Sequence, residues 1–165
     1  STADKLNIYN ANLINGNADI GGAIYNTGSV YAYNTNFINN TAATGGAVFN
    51  KGTLTIQKCI VDSNDITKRT SSASEDYGGA AIYNWYDSTL FIKNSTISNN
   101  LKNYKNGDYV VGAVTSLGKT KISENSYFVN NSGRWGGAIT TSGSSLPGKK
   151  VNELSISDSD RKSVV

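Results

Sequence analysis

The chain carries the stretch Gly-Gly-Ala-Ile-Tyr-Asn at residues 21–26, and 24 residues later it carries Gly-Gly-Ala-Val-Phe-Asn at 45–50. Three further copies, in which some residues are replaced, lie at 79–84, 111–116 and 136–141. Self-similarity with a fixed period of roughly 20 to 50 residues is the mark of a solenoid, whose units bury their apolar faces only against their neighbours. The stretch therefore predicts a repeat protein with one unit in each period.

Two more short apolar stretches recur at a fixed offset within each period. One series lies at 6–8, 30–32, 54–56, 90–92 and 121–123, and the other at 13–15, 37–40, 61–64, 97–100 and 128–131. These runs are too short for helices, alternate apolar with polar residues and are punctuated by Gly and Asn, so each is predicted to be a strand that ends at a corner. Three short strands and three corners per period indicate an all-β fold, a right-handed parallel β-helix of about five to six coils.

The composition favours the same fold class. The 165 residues include 17 Gly and 10 Tyr, but only one Pro and neither Met nor His. Such a composition suits tight left-handed corners and stacked asparagines better than it suits a helical bundle.

We expect one β-helix domain over residues 1–165. Regular repeats are expected at 5–142, and a degenerate last coil and tail at 143–165, with a weak strand from Val151 to Ile156. The sequence offers no convincing cap for the first or last coil, although a β-helix leaves unpaired strand edges at both ends. We therefore expect the chain to be a fragment of a longer protein.

Equivalent positions in the copies are expected to stack inside the coil or at its corners. The aliphatic member of each copy is predicted to form one internal column, made of Ile24, Val48, Ile82, Val114 and Ile139. Strand-end asparagines are predicted to hydrogen-bond from coil to coil as structural ladders, one made of Asn26, Asn50 and Asn84 and the other of Asn40, Asn64, Asn100 and Asn131. Glycosylation is an alternative role for this Asn-rich sequence, because acceptor triplets begin at Asn39, Asn94 and Asn130.

The repeat resembles that of a known family. The pattern GGAI with FxxN, present here at 21–24 with 37–40 and at 136–139 with 128–131, is similar to the repeat of the chlamydial polymorphic outer membrane proteins. It is equally similar to that of the adhesin-like surface proteins of methanogenic archaea. The resemblance covers roughly residues 5–142 and implies an exported protein, displayed at the cell surface or outer membrane, with a role in cell adhesion. The third and fourth copies depart from the pattern by lost glycines, so irregular coils are expected there.

The function expected from this resemblance is that of a non-catalytic, secreted, adhesin-like binding module without a cofactor. Its partner would be a host or cell-surface protein or glycan, and the module would be a monomer within a longer surface protein. The alternatives are a polysaccharide-processing enzyme, either a lyase or a glycoside hydrolase, and a purely structural surface spacer. Nucleic acid is not an expected partner, because the net charge is only +3 and no run of Lys or Arg is present. No apolar stretch is long enough to span a bilayer.

Two long corners and an aromatic column form the candidate binding surface. The corners at 65–77 and 101–109 are expected to lie side by side, because equivalent corners of a solenoid stack. Strand residues alternate between faces, so the aromatic residue after each aliphatic core residue is expected to face solvent. The predicted binding residues are Lys68, Arg69, Tyr77, Tyr104, Lys105, Tyr109, Trp135, Tyr25, Phe49 and Tyr83. The alternative is that the column only stiffens the sheet or is covered by the loops.

An enzyme of this fold would need paired carboxylates, or a base beside bound calcium. Most of the candidate groups lie on a Ser-rich loop that cannot hold them to fractions of an ångström, and the chain contains no His. The candidate acids are Asp62, Asp65, Glu75, Asp76 and Asp108, with Lys68 and Arg69 as possible bases. We expect no catalytic residue and no His or Cys metal site, while calcium binding near Asp62, Asp65 and Asp108 stays open.

Cys59 is the only cysteine. It stands where other coils have Ala11, Thr35 and Ser95, which are small residues. With no second cysteine and no His to activate it, Cys59 is predicted to be a buried structural thiol and not a nucleophile.

Overall fold

A computed structural model describes residues 4–67, 78–101, 112–141 and 152–157. Over these residues the protein is all-β, its strands are two to five residues long, and it contains no helix. The strands form three parallel sheets and one small two-stranded sheet. The coarser part of the predicted fold class, an all-β chain of short parallel strands, is confirmed for these residues.

Sheet 1 is six-stranded and contains the longest strands. Its strands, in spatial order, are β1 (Lys5–Tyr9), β4 (Ser29–Tyr33), β8 (Thr53–Gln57), β12 (Thr89–Lys93), β15 (Lys119–Ser123) and β18 (Glu153–Ile156). The first five contain the first predicted series of apolar runs. The last lies within the weak strand predicted from Val151 to Ile156.

Sheets 2 and 3 are five-stranded, and each takes one strand from each period. Sheet 2 contains the glycine-rich motif as β3 (Ile24–Asn26), β7 (Val48–Asn50), β11 (Ile82–Asn84), β14 (Val114–Ser116) and β17 (Ile139–Thr141). Sheet 3 is made of β2 (Asn12–Ile14), β5 (Asn36–Ile38), β9 (Ile60–Asp62), β13 (Thr96–Ser98) and β16 (Tyr127–Val129). A short pair, β6 (Thr41–Ala42) with β10 (Asp65–Ile66), adds a sheet that the sequence did not predict.

The aliphatic column predicted in the glycine-rich motif is confirmed. Ile24, Val48, Ile82, Val114 and Ile139 are register partners across sheet 2. The three central members are fully buried, whereas Ile24 and Ile139 lie on edge strands and are partly buried. Inward residues of sheets 1 and 3 join the same cluster, so all three sheets share one apolar core.

The corners that follow the strands of sheet 3 adopt a left-handed backbone conformation. The corner residues in this conformation have φ angles between 51° and 59°. They are Asn15, Asn39, Ser63, Asn99 and Asn130. Asn tolerates this region better than most residues, because its short side chain bonds to nearby backbone. The first Gly of the motif, which lies before the strand of sheet 2, also adopts the left-handed conformation, and Gly45 has a φ of 63°. A Cβ added to Gly45 would lie 2.5 Å from the carbonyl oxygen of Val48, so a side chain does not fit there.

The asparagines that follow these corners hydrogen-bond from repeat to repeat. The Nδ2 of Asn40 donates to Oδ1 of Asn64 at 3.0 Å, Asn64 donates in the same way to Asn100 at 3.0 Å, and Asn100 to Asn131 at 2.9 Å. In sheet 2 the amide of Asn26 donates to Asn50, and that of Asn50 to Asn84. These ladders lie beside the core and hold neighbouring repeats in register.

Candidate functional site

The aromatic column predicted on sheet 2 forms. The rings of Tyr25 and Phe49 stack with centroids 5.6 Å apart and planes 8° from parallel, and those of Phe49 and Tyr83 stack at 5.4 Å and 6°. Tyr25 is 50% exposed, but Phe49 is 4% and Tyr83 0% exposed. The expectation that the column faces solvent is therefore wrong for Phe49 and Tyr83.

The column is covered by residues from the neighbouring corners. The Trp85 ring centre lies 5.7 Å from that of Phe49 and 5.8 Å from that of Tyr83, and Tyr86 and Leu117 complete a second apolar cluster outside sheet 2. The ammonium of Lys51 lies 5.3 Å from the Trp85 ring centre. The corner after β11 contains four residues, whereas the corner after β7 contains two, and this extra length brings Trp85 and Tyr86 over the column.

The loop residues predicted to bind, Lys68, Arg69, Tyr77, Tyr104, Lys105 and Tyr109, lie outside the described residues. The ends of the two insertions are described, and they are neighbours. The backbone N–H of Leu101 donates to the carbonyl of Asn64 at 2.9 Å, and that of Ala80 donates to the carbonyl of Gly112 at 3.2 Å. A small buried cluster of Ile66, Ala80 and Leu101 lies at this position.

Trp135 and Tyr25 are exposed but far apart. Trp135 is 45% exposed, and the guanidinium of Arg134 lies 5.2 Å from its ring centre. Trp135 precedes β17 and Tyr25 lies on β3, which are the two edge strands of sheet 2. Four strand spacings separate them, roughly 19 Å, so the structure does not bring these two residues into one site.

The outward face of sheet 1 is an exposed surface that the sequence analysis missed. Alternation turns Leu54 and Ile56 inward and sends the intervening residues outward. We call this surface the tyrosine–lysine face, and its principal residues are Tyr9, Tyr31, Tyr33, Gln57, Phe91, Lys93, Lys119 and Lys121. The alternation in Val-Tyr-Ala-Tyr at 30–33 and Leu-Phe-Ile-Lys at 90–93 was the signal that would have found it.

One half of the face is aromatic. The ring centres of Tyr9 and Tyr31 are 5.9 Å apart, and those of Tyr31 and Tyr33 are 6.4 Å apart. The hydroxyl of Tyr31 donates to Oε1 of Gln57 at 2.9 Å. Burial, followed by the neighbouring phenols Tyr9 and Tyr33, raises the pKa of Tyr31 above its ordinary value.

Lys58 borders the aromatic half. Its Nζ donates to the hydroxyl of Tyr33 at 2.8 Å and lies 5.1 Å from the ring centre. Since the ammonium lies at the hydroxyl end of the ring, the hydrogen bond is the main contact and the cation–π interaction is secondary. The same hydrogen bond is the largest cause of the raised pKa of Lys58.

The other half of the face is basic, and two of its three lysines are paired. Nζ of Lys93 lies 3.7 Å from Glu124, and Nζ of Lys119 lies 3.4 Å from Glu153. Lys93 and Lys119 lie in the two flanking outward rows, and Lys121 lies in the central row between those rows. Within the described part of the chain, Lys121 has no ion pair or hydrogen bond. Lys121 is therefore the uncompensated cation of this half.

Two shallow depressions flank Lys121. One, of about 270 Å³, is bordered by Lys93 and Glu124, and the other, of about 230 Å³, by Lys119 and Glu153. Phe91 and Lys121 line both. An aromatic ring and a free ammonium thus separate two open grooves on a rigid sheet, an arrangement that can bind a ligand with both apolar and anionic parts.

The candidate acids near the first long corner have structural partners. Asp62 accepts hydrogen bonds from Ser63, Ser98 and Asn99 at 2.6–2.7 Å, and Oδ1 of Asp65 accepts the backbone N–H of Ile66 at 2.8 Å. Glu75, Asp76 and Asp108 lie outside the described residues. Among the described residues, no three His, Cys, Asp or Glu side chains cluster so that they could hold a metal ion.

Cys59 is a buried thiol, as predicted. Its Sγ lies 3.4 Å from the carbonyl oxygen of Ala32 and 3.3 Å from that of Gln57. Burial raises the pKa of the thiol, which keeps it protonated and poorly nucleophilic.

Comparison with protein-family models, with curated proteins and with solved structures found no match to this chain. No helix long and apolar enough to cross a membrane occurs in the ranges that the structure describes.

Proposed function

We propose that the chain is part of a right-handed parallel β-helix that serves as a non-catalytic, adhesin-like binding module. The β-helix is supported by three parallel sheets that each take one strand per period and by the single apolar core that these sheets share. Parallel crossover connections are right-handed in nearly all proteins, which supports the handedness.

The observation that carries the binding function is the tyrosine–lysine face. Tyr31, Phe91 and Lys121 project from five-residue strands that each pair with a neighbour on both sides, so their backbone positions are fixed before a ligand arrives. Fixed positions reduce the entropy lost on binding. Aromatic and cationic side chains on such a scaffold are typical of recognition surfaces.

The two carboxylates of this face favour binding over hydrolysis. Glycoside hydrolases hold two carboxyl groups about 5 to 9.5 Å apart across the scissile bond. Glu153 pairs with Lys119 at the start of β15, whereas Glu124 follows the end of β15 and pairs with Lys93. The two ends of β15 are four residue steps apart, roughly 13 Å, and each carboxylate is held at its own end by a lysine.

The resemblance of the repeat to polymorphic outer membrane proteins and archaeal adhesin-like proteins supports display at the cell surface or outer membrane. On this proposal the chain is one segment of a longer, exported surface protein. Its partner is a host or cell-surface protein or glycan, and the β-helix presents the binding face at a distance from the cell.

The proposed function is tested by applying the protein to arrays of glycans and of host and cell-surface proteins, beside an assay for newly released sugar ends. We expect binding without release of sugar ends, and we expect the double variant Tyr31→Ala with Phe91→Ala to lose it. A matched control, Asn36→Ala with Thr96→Ala, changes outward residues of sheet 3 and should bind normally.

Each other outcome has a defined meaning. New sugar ends would indicate a polysaccharide-processing enzyme and contradict the proposal. No binding to any array member would favour a structural spacer, and normal binding by the Tyr31→Ala, Phe91→Ala variant would move the site away from sheet 1.

A further inference from the structure

We infer that the tyrosine–lysine face takes an acidic polysaccharide, which lies across the strands of sheet 1 and places a carboxylate on Lys121. This inference rests on the proposed binding function and specifies its ligand. It follows from the order of residues along one outward row, from the size of the face and from its unequal charge pairing.

The central outward row presents its groups in a straight line across the sheet. From β1 to β18 the register partners are Asn7, Tyr31, Thr55, Phe91, Lys121 and Ser155. Adjacent strands are about 4.8 Å apart. Tyr31 and Phe91 are therefore roughly 10 Å apart across the small side chain of Thr55, and Lys121 is next to Phe91.

This order suits a chain of sugar rings. A pyranose ring presents a face of C–H groups that packs on an aromatic ring, while its hydroxyls need hydrogen-bonding groups at the edge. Tyr31 and Phe91 are half-buried aromatic platforms, and Gln57 and Thr89 lie in the flanking outward rows. Two platforms with a dip between them match a linear ligand better than a single compact one.

The dimensions of the face also favour a slender ligand over a folded protein. Six strands give a length of roughly 24 Å, and the three outward rows span roughly 13 Å. The product, roughly 300 Å², is well below the 800 Å² or so that each partner buries in a standard protein interface.

Charge selects an acidic polysaccharide. Lys93 and Lys119 pair with Glu124 and Glu153 at the two ends of the strands, so these ends have no net positive charge with which to attract an anion. Of the three lysines that border the depressions, Lys121 is the one without an ion pair to a described residue, and it lies in the middle row beside an aromatic platform. Nucleic acid, whose phosphates need several free cations, is less well matched than a sugar chain with one carboxylate in register.

The test uses oligosaccharides that differ only in charge. Calorimetric titration would compare hexamers of galacturonic acid and of a hyaluronan repeat with their methyl esters, in which each carboxylate is neutral. We expect at least one acidic hexamer to bind and its methyl ester to bind about tenfold more weakly, since a hydrogen bond to a charged group is lost. Raising the salt concentration should weaken only the acidic form.

Lys121→Gln should weaken binding of the acidic hexamer about tenfold and leave that of the ester unchanged. Lys51→Gln is the matched control, because Lys51 is an exposed lysine whose ammonium lies over the Trp85 ring outside sheet 2 and not on the tyrosine–lysine face. It should alter binding less than twofold. Amide NMR spectra of both variants establish that they keep the fold.

The remaining outcomes separate the inference from the function on which it rests. Equal binding of acid and ester, unaffected by Lys121→Gln, would make the ligand a neutral glycan and overturn the inference alone. Tighter binding of a single-stranded oligonucleotide, or of an array protein that needs Tyr31 and Phe91, would also overturn it. Absence of binding to every probe and every array member would overturn the proposed function as well.

Discussion

Asn64 illustrates at the scale of one residue how a repeat protein can bury a polar side chain. It is fully buried, yet its amide donates to the carbonyl of Phe37 and to Asn100. Its Oδ1 accepts the backbone N–H and the side-chain amide of Asn40. Because every polar atom is paired, the ladder stabilises the stack, and loss of one member leaves several groups unpaired.

Asn64→Leu should therefore lower the free energy of unfolding by about 3 kcal/mol or more, since donors and acceptors of three neighbours lose their buried partners. Urea denaturation measures this change. The control Asn36→Ala removes an exposed amide pair with Asn12 and should cost less than about 0.5 kcal/mol. Similar losses in both variants would show that the buried ladder has no special weight.

Cys59 gives a prediction on pH dependence. Burial raises the pKa of its thiol, so the folded state keeps its proton after the unfolded state has lost it. The contribution of Cys59 to stability is thus complete below the pKa of an unfolded thiol, about 8.5, and declines as the pH rises through the folded pKa.

This contribution is measured as the difference in the free energy of unfolding between wild type and Cys59→Ser. The substitution introduces the residue found at the equivalent position of the next repeat. We expect wild type to lose more stability than Cys59→Ser between neutral pH and a pH above 9. The native thiol should also react with a disulfide reagent far more slowly than an unfolded one. Equal pH profiles together with fast labelling would mean that Cys59 is accessible.

At the scale of the element, periodicity identified the strands but not what covers them. The three series of apolar runs correspond to sheets 1, 2 and 3, because each run repeats in every period. Covering of Phe49 and Tyr83 was expected only as the alternative, through the loops. The covering residues could not be named, because Trp85 and Tyr86 belong to one corner only and have no counterpart in the other repeats. The two-residue strands β6 and β10 were missed because they are too short to show a period.

The stacking of elements predicts a gradient of stability along sheet 2. Ile82 lies on the central strand and is fully buried, so Ile82→Ala should lower the free energy of unfolding by about 2 to 5 kcal/mol. Ile24 occupies the same row on an edge strand and is only partly buried. Ile24→Ala should therefore cost roughly half as much, because it removes less apolar area from the core. Chemical denaturation of both variants measures the two costs, and equal costs would contradict one continuous column.

At the scale of the whole molecule, the sequence indicated the architecture better than the site. Strand alternation could have shown the tyrosine–lysine face, because Tyr31 and Phe91 are outward in every register consistent with the core. The pairing of Lys93 with Glu124 could not be predicted, because it joins different repeats whose separation is altered by the long insertions. That pairing, with the one between Lys119 and Glu153, leaves Lys121 without an ion pair among the described residues, so the basis of the proposed charge selectivity became visible only in three dimensions.

The central claim is that partners bind to the outward face of sheet 1, and chemical-shift mapping by NMR tests it most directly. The 17.5 kDa chain would be labelled and titrated with the best ligand from the arrays. The account predicts shifts at the methyl groups of Thr55 and Thr89, the side-chain amide of Gln57 and the ring of Phe91. Shifts confined to the long corners at 65–77 and 101–109, or to Tyr25 and Trp135, with sheet 1 unchanged, would contradict it.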